Sequence, residues 1–253
     1  MRYLFALVLL SLTFSVSAAN DEFAATEAKI KAALENERRS EKDTERDKNR
    51  MPIKTLKFFG LRDDMKVLEL LPGGGWYTSI LGPVLEEKGQ LYISIGAERV
   101  GEKLKDTPGF GSMEVIPFDR KNFKREEGAR RTSVPEFSFG KRKLDMVLTF
   151  RNQHNFTDEG RKHINEAAYE ALKKGGTYGV VDHTRRHMES ELTRENARRI
   201  DPIDIIKEVQ AAGFEFVDYS TLHYRPDDEL RYEVGRKTVT GNTDRFTLLF
   251  KKR

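Results

Sequence analysis

The 253-residue sequence predicts an α/β fold, a Rossmann-like sheet of seven mostly parallel strands with helices on both faces. Short apolar runs with β-branched residues alternate with longer segments of helical periodicity, which is typical of a parallel sheet covered on both sides. In addition, one apolar run leads directly into Gly73-Gly74-Gly75, where a helix is expected to begin. The length and the 38% hydrophobic content favour a single domain with one core.

Seven strands and four main helices follow from these patterns. The expected strands are 66–71, 90–95, 113–117, 144–150, 177–182, 214–220 and 245–250. The expected helices between them are 76–85, 98–105, 158–172 and 202–212, with Gly175-Gly176 and Gly213 at helix ends. Segment 222–244 has too little helical pattern for a right-handed crossover, so we expect the last strand to run antiparallel to its neighbours.

The first nineteen residues have the three-part pattern of a secretory signal peptide. Arg2 precedes an apolar run over 4–12, and the small residues Ser17-Ala18-Ala19 follow it. We expect cleavage near Ala18 or Ala19, the alternative being an uncleaved N-terminal anchor. The prediction is therefore an exported protein, periplasmic if its source is a Gram-negative bacterium.

Segment 20–50 is rich in Ala, Glu, Lys and Arg, and it carries a thin apolar stripe at Phe23, Ile30 and Leu34. This pattern predicts a charged helical arm before a domain over 51–253. The arm either lies across the mouth of the domain as a lid or is a solvated helix.

The overall charge is nearly balanced, with 45 Lys and Arg against 41 Asp and Glu. We therefore expect no nucleic acid partner, and no later segment is apolar enough to predict stable membrane insertion. Basic runs over 121–131, 141–143 and 184–199 are interpreted as solvated loops and helix faces. A small-molecule or envelope substrate is expected, and the sequence does not set the oligomeric state.

The most informative motif is the run from Val67 to Thr78, in which an apolar strand leads into the three glycines. Glycines at this place let the backbone turn tightly and approach a ligand, while free amides at the helix start offer hydrogen-bond donors. Glu69 lies inside the strand, and Thr78 stands where a dinucleotide fingerprint has its third glycine. A nicotinamide-dependent oxidoreductase is therefore disfavoured.

This motif resembles the first motif of class I S-adenosylmethionine-dependent methyltransferases, and the sequence is most similar to a group of predicted exported members. The similarity covers the chain from about Arg50 onward. It rests on the run 67–78, Asn152-x-His154-Asn155, Gly175-Gly176, Asp182-His183 and Thr243-Asp244-Arg245-Phe246. The resemblance implies S-adenosylmethionine as cofactor and methyl transfer to an unidentified small-molecule or envelope acceptor.

The resemblance also implies roles for individual residues. Glu69, Gly73 and Gly75, with Gly74 between them, would line the pocket for the amino-acid end of the cofactor. Asp119 would approach the adenine, and Asp145 and the loop through His154 would border the substrate. Class I methyltransferases usually hold the ribose with an acidic residue at the end of the second strand. Glu98 either serves this role from a displaced position or is a first-turn acid of the next helix.

Trp76 and Tyr77 either wall the cofactor pocket, with a cation-π contact to the sulfonium, or pack the helix onto the sheet. Candidate catalytic residues are His154, Asp182 and His183, since each follows or ends a strand at the ligand-facing edge. For each the alternative is a structural hydrogen bond or a polar strand end. No metal is expected.

A second function class is consistent with the same residues, namely an exported, non-catalytic methyltransferase-like binding protein. The departure at the second strand favours it, whereas the preserved glycine loop favours an enzyme.

Overall fold

The computed structural model describes residues 23–253, except for the side chain of Arg120. The predicted signal peptide over 1–19, with its expected cleavage near Ala18 or Ala19, lies outside these residues. Among the helices of residues 23–253, none is both long and apolar enough to cross a membrane.

Seven strands form one sheet in the order β3-β2-β1-β4-β5-β7-β6. The strands are β1 (Lys66–Leu70), β2 (Gln90–Ser94), β3 (Glu114–Ile116), β4 (Leu144–Phe150), β5 (Leu172–His183), β6 (Phe214–Ser220) and β7 (Arg245–Lys252). β1 to β5 pair in parallel, whereas β7 runs antiparallel to both β5 and β6. The predicted α/β fold with an antiparallel last strand is therefore confirmed.

Within residues 23–253, four helices precede β1, and the other four lie between strands of the sheet. The helices are α1 (23–34), α2 (Glu41–Thr44), α3 (Asp47–Arg50), α4 (Pro52–Phe58), α5 (Thr78–Leu85), α6 (Glu98–Leu104), α7 (Asp158–Ala171) and α8 (Pro202–Ala211). Short 3-10 turns lie at Arg120–Asn122 and Gln153–Asn155. Because β1 to β5 are parallel, their carboxyl ends meet at one edge of the sheet, where ligands of such folds bind.

The core lies on both faces of the sheet because side chains along each strand point alternately to opposite sides. Val67, on one face of β1, belongs to a cluster with residues of α1, α4, α5 and α6. Leu68, on the other face, packs with residues of α7 and α8. Both clusters are apolar, so the sheet is buried between two helical layers, as the continuous apolar strands predicted.

β5 begins earlier than the expected strand 177–182, for a reason found in its pairing. Its register with β4 shifts between the pairs Leu144–Leu172 and Met146–Thr177. The extra residues form a bulge in which Gly175 has φ of 74°. Gly175-Gly176 thus belong to this irregularity rather than to a helix end, while Gly213, with φ of 104°, follows α8 as expected.

Residues 23–50 pack against the sheet domain. Phe23, Ile30 and Ala33 of α1 are buried in the same cluster as residues of α4 and α5. Arg50, at the end of α3, is also buried, and its carbonyl accepts hydrogen bonds from Thr55 Oγ1 (2.9 Å) and His223 Nε2 (3.1 Å). These contacts fix the end of the arm beside the carboxyl edge of the sheet.

Candidate functional site

The glycine turn directly follows β1. Gly73 and Gly75 have φ of 60° and 80°, a backbone region that glycine adopts without steric cost, and the Gly75 amide donates to Pro72 O at 2.9 Å. A Cβ added at Gly73 or Gly74 would meet no atom within 4 Å, whereas one at Gly75 would lie 3.0 Å from Val100 Cγ1. Gly73 and Gly74 therefore form an open cradle, and Gly75 allows α6 to pack closely.

Glu69 lies near the carboxyl end of β1, and its side chain is almost fully buried, with 2% of the residue exposed. One oxygen, Oε2, accepts a hydrogen bond from Thr78 Oγ1 at 2.6 Å. Burial raises the pKa of this carboxyl to about 7, against the opposing effects of the Thr78 hydrogen bond and the charge of Arg50. Within residues 23–253, no basic group lies within 4.0 Å of it, so the carboxylate is available to a cationic ligand.

Two aromatic side chains are held firmly beside the turn. The Tyr77 ring stacks on Phe150 with centroids 3.6 Å apart, and Trp76 meets Tyr77 edge-on at 4.7 Å. Trp76 Nε1 donates to Asp43 O at 3.0 Å, which ties the ring to α2. Both rings pack against neighbouring groups, and both also line a cavity.

These groups surround a cavity of about 360 Å³, here named the β1 pocket. Its lining comes from the arm, the glycine turn and the ends of β1 and β4: Lys42, Asp43, Arg46, Arg50, Glu69, Leu71, Pro72, Gly73, Gly74, Trp76, Tyr77, Lys103, Phe150, Arg151 and Asn152. The volume is in the range of small-molecule sites. Segment 20–50, expected as a lid or a solvated arm, contributes four of these side chains from its described part.

A second cavity of about 520 Å³, here named the arginine cleft, adjoins the first. The two share Lys42, Arg46, Arg50 and Arg151. The rest of the arginine cleft is lined by Glu45, Asn49, His183, Arg198, Val234, Gly235, Thr240, Gly241, Thr243 and Arg245. Six basic side chains and one carboxylate line this cleft. Two of the six, Arg46 and Arg198, pair with Asp43 and Glu233, and the remaining excess of basic groups gives the cleft a positive potential.

His154 and Asp182 form a buried pair. His154 Nδ1 lies 2.6 Å from Asp182 Oδ1, and the backbone amides of His154 and His183 also donate to this carboxylate, at 3.0 and 2.7 Å. Neither His154 nor Asp182 lines the β1 pocket or the arginine cleft. The pair instead holds together the ends of β4 and β5.

His183 is the one member of the predicted catalytic set that lines the arginine cleft. Its Nδ1 lies 3.0 Å from Thr243 Oγ1. Burial, followed by the charges of His154 and Arg245, lowers the pKa of His183 well below its ordinary value. The ring is therefore neutral at pH 7.

Four other predicted residues lie away from both cavities. Glu98 is an exposed first-turn residue of α6, and Asp119 is exposed, with Oδ1 accepting from the Lys121 amide at 2.9 Å. Asp145 is the second residue of β4, at the opposite edge of the sheet, where it accepts from the Lys66 amide at 2.7 Å. Gly75 lines a smaller neighbouring cavity with Trp76 and α6.

The arginines were not predicted from the sequence as site residues. Arg151 directly follows β4, and Arg245 begins β7 inside the motif 243–246, so both stood in or beside motifs of the resemblance. Asn152, also in such a motif, donates from Nδ2 to Leu70 O (3.3 Å) and Leu71 O (3.2 Å). It joins the end of β1 to the loop after β4.

Solved structures share this architecture. Over 88% of this chain and 97% of the other, the chain is similar to a SAM dependent methyltransferase from Aquifex aeolicus, with 18% identity and a TM-score of 0.55. The cyclase SpnF matches with 13% identity over 86% of this chain and 84% of its own, at a TM-score of 0.57. CrArsM, an arsenic (III) S-adenosylmethionine methyltransferase from Chlamydomonas reinhardtii, matches with 15% identity, 88% and 72% coverage and a TM-score of 0.51.

No protein-family model and no curated protein sequence matches the chain. The structural similarity establishes the fold, which is that of S-adenosylmethionine-dependent methyltransferases.

Proposed function

We propose that this protein is an exported S-adenosylmethionine-dependent methyltransferase that acts on an unidentified small-molecule or envelope acceptor. The observation that carries the proposal is the buried Glu69 carboxylate beside the open glycine cradle, at the carboxyl end of β1. Export rests on the signal-peptide pattern over 1–19. The cyclase SpnF has a similar fold, so the site rather than the fold must support the reaction.

The residues of the β1 pocket fit the amino-acid end of this cofactor. The space at Gly73 and Gly74 admits a ligand close to the backbone, and Glu69 offers a buried carboxylate to an ammonium group. Glu98, the residue expected to hold the ribose, is exposed on α6 and lines neither cavity, so it does not supply a ribose contact in this pocket. Recognition is thus assigned to Glu69, the glycine cradle and the Trp76 and Tyr77 wall.

When bound, S-adenosylmethionine would supply an electrophilic methyl group. The protein's part is to hold the acceptor in line with that group and to take up a proton where the acceptor carries one. His183 lines the arginine cleft, and when Nδ1–H donates to Thr243 Oγ1 its Nε2 can accept a hydrogen bond from the acceptor. Its lowered pKa keeps the ring neutral, so we assign it to orienting the acceptor rather than to holding the acceptor's proton.

Calorimetric titration with S-adenosylmethionine tests the cofactor assignment, with two variants at Gly74. This residue has no positive φ and open space around its missing Cβ, so a side chain there enters the β1 pocket without backbone strain. We expect micromolar binding by the wild type, a change of less than about threefold for Gly74→Ala, and a loss of about tenfold or more for Gly74→Leu. The melting temperatures of all three should agree closely.

A folded wild type that binds neither S-adenosylmethionine nor S-adenosylhomocysteine would contradict the proposal and favour the non-catalytic binding protein. Unchanged binding by a folded Gly74→Leu variant would place any cofactor site outside the β1 pocket.

A further inference from the structure

Three arginine side chains line the arginine cleft together, and two of them, Arg50 and Arg151, also line the β1 pocket. Arg50 is 4% exposed, and its Nη2 is buried without a hydrogen-bond partner. Arg245 is 6% exposed and donates only to backbone oxygens, from Nη2 to Asn49 O (2.9 Å) and from Nε to Thr243 O (3.4 Å). The Arg151 guanidinium makes no hydrogen bond to any residue within 23–253. Each of the three guanidinium groups therefore has N–H donors that form no hydrogen bond within residues 23–253.

None of these three guanidinium groups has a carboxylate within 4.0 Å among the described residues. Buried charges in proteins are normally paired, because desolvation without a counter-charge is unfavourable. Burial is the main cause that lowers the pKa of each arginine, and the charge of Arg151 is the next cause for both Arg50 and Arg245. The three groups thus repel one another in a poorly solvated place.

In the described part of the chain, nearby carboxylates do not pair with these three groups. Glu45 lines the same cleft without coming within 4.0 Å of them, and Asp182, whose charge acts on Arg151, accepts from His154 and His183. Asp244 accepts a hydrogen bond from the Arg225 amide at 2.8 Å. Glu69 lies on the β1-pocket side of Arg50 and accepts from Thr78. Elsewhere in this chain, a buried arginine is matched by an acid, as Arg199 is by Asp228 at 2.9 Å. The contrast indicates that the missing counter-charge belongs to a ligand.

The backbone at Arg151 supports the same conclusion. Its φ is 64°, a left-handed conformation that is unfavourable for a residue with a side chain, and its amide donates to Val181 O at 2.6 Å. Strain of this kind is found at functional sites, where the surrounding structure holds a side chain in a required place. Here it holds the guanidinium at the carboxyl end of β4, where both cavities meet.

We propose that the arginine cleft binds the methyl acceptor through an oxyanion group, a phosphate or a carboxylate, that pairs with Arg50, Arg151 and Arg245. That the ligand is a methyl acceptor rests on the proposed methyltransferase function. That the ligand carries an anionic group rests on the arginine cleft alone. The planar guanidinium presents two parallel donors that match the oxygens of either group. His183 and Thr243 line the same cleft, so the anchored molecule would lie against them.

The test is a thermal-shift and calorimetric titration of the full chain with inorganic phosphate and, separately, with succinate, at matched ionic strength. The main variant is Arg151→Met, and its matched control is Arg99→Met, an exposed arginine of α6 that lines neither cavity. We expect saturable phosphate or succinate binding by the wild type and by Arg99→Met, weakened about tenfold or more in Arg151→Met. Unliganded Arg151→Met should melt at a higher temperature than the wild type, because a repelling charge is removed.

No saturable binding of either anion by the wild type overturns the inference, as does binding by Arg151→Met within about threefold of the wild type. If Arg151→Met does not fold, Arg245→Gln replaces it with the same expectation for anion binding. Titration with S-adenosylmethionine in anion-free buffer separates the two proposals. If the protein binds the cofactor but neither anion, the proposed oxyanion site is rejected and the methyltransferase proposal is kept. If it binds an anion but not the cofactor, the methyltransferase proposal is rejected.

Discussion

Replacing Arg199 by Met is expected to lower the free energy of unfolding by about 3–5 kcal/mol. The Arg199 guanidinium is fully buried and donates to both oxygens of Asp228, at 2.9 and 3.0 Å. It also donates to Thr184 O and Tyr232 O, both at 3.0 Å. Its removal leaves the Asp228 carboxylate buried without a counter-charge. Urea unfolding followed by circular dichroism measures the effect.

The matched control is Arg231→Met, in the segment between β6 and β7 that also contains Asp228. Arg231 pairs with Glu229 at 3.5 Å, but both side chains are exposed, so its loss should change stability by less than about 1 kcal/mol. If Arg199→Met is as mild as this control, the buried pair does not stabilise the fold.

This ion pair also shapes the arginine cleft. Asp228 Oδ2 accepts from the Asp244 amide at 2.6 Å, so the pair joins the segment after β5 to the start of β7. That junction places Thr243 and Arg245 at the cleft. The stability of the fold and the position of the site therefore depend on the same contact.

Glu69→Gln is expected to weaken the binding of S-adenosylmethionine about thirtyfold, because a hydrogen bond between a carboxylate and an ammonium group is stronger than its neutral counterpart. The glutamine oxygen can still accept from Thr78 Oγ1, so the fold should be kept. Calorimetry at pH 7.5 on both proteins measures the difference, with Thr78→Ser as a control that keeps the hydrogen bond. Equal affinities would remove Glu69 from the cofactor site.

The same residue should make the affinity depend on pH. Burial raises the pKa of Glu69 to about 7, so the unliganded carboxyl is mostly protonated at pH 6 and mostly ionised at pH 7.5. Because the ionised form binds the ammonium group, affinity should rise about fivefold to tenfold over this interval and fall again on acidification. Glu69→Gln should show no such rise; a rise of the same size in that variant would assign the effect to another group.

The sequence predicted the parts of this molecule whose cause is local. β4 and β6 begin and end where their apolar runs do, at 144–150 and 214–220. The glycine turn and Glu69 were predicted because one contiguous motif contains the strand, the acid and the turn. The bulge at Gly175 was not predicted from the sequence, because it arises from the pairing of β5 with β4.

The arginine cleft is formed by residues that are far apart in the sequence, so no local sequence pattern predicts it. Arg50, Arg151 and Arg245 come from α3, the end of β4 and the start of β7, and they meet only because the sheet order brings these ends together. The run 184–199 was interpreted as solvated. In the structure Arg199 is buried against Asp228, which is 29 residues away, and Arg198 lines the arginine cleft. His154 was predicted as a base for the same reason, because its contact with the buried Asp182 joins residues that are distant in the sequence.

The central claim is that S-adenosylmethionine binds beside Glu69 and the glycine turn. Ultraviolet cross-linking of methyl-labelled S-adenosylmethionine to the full chain, followed by trypsin digestion and mass spectrometry, tests where it binds. We expect saturable label on the peptide 67–88, which contains Glu69, the glycine turn, Trp76 and Tyr77 and has no internal cleavage site for trypsin. The label should be displaced by S-adenosylhomocysteine. Saturable, displaceable label on another peptide, or none at all on the folded protein, would contradict the claim.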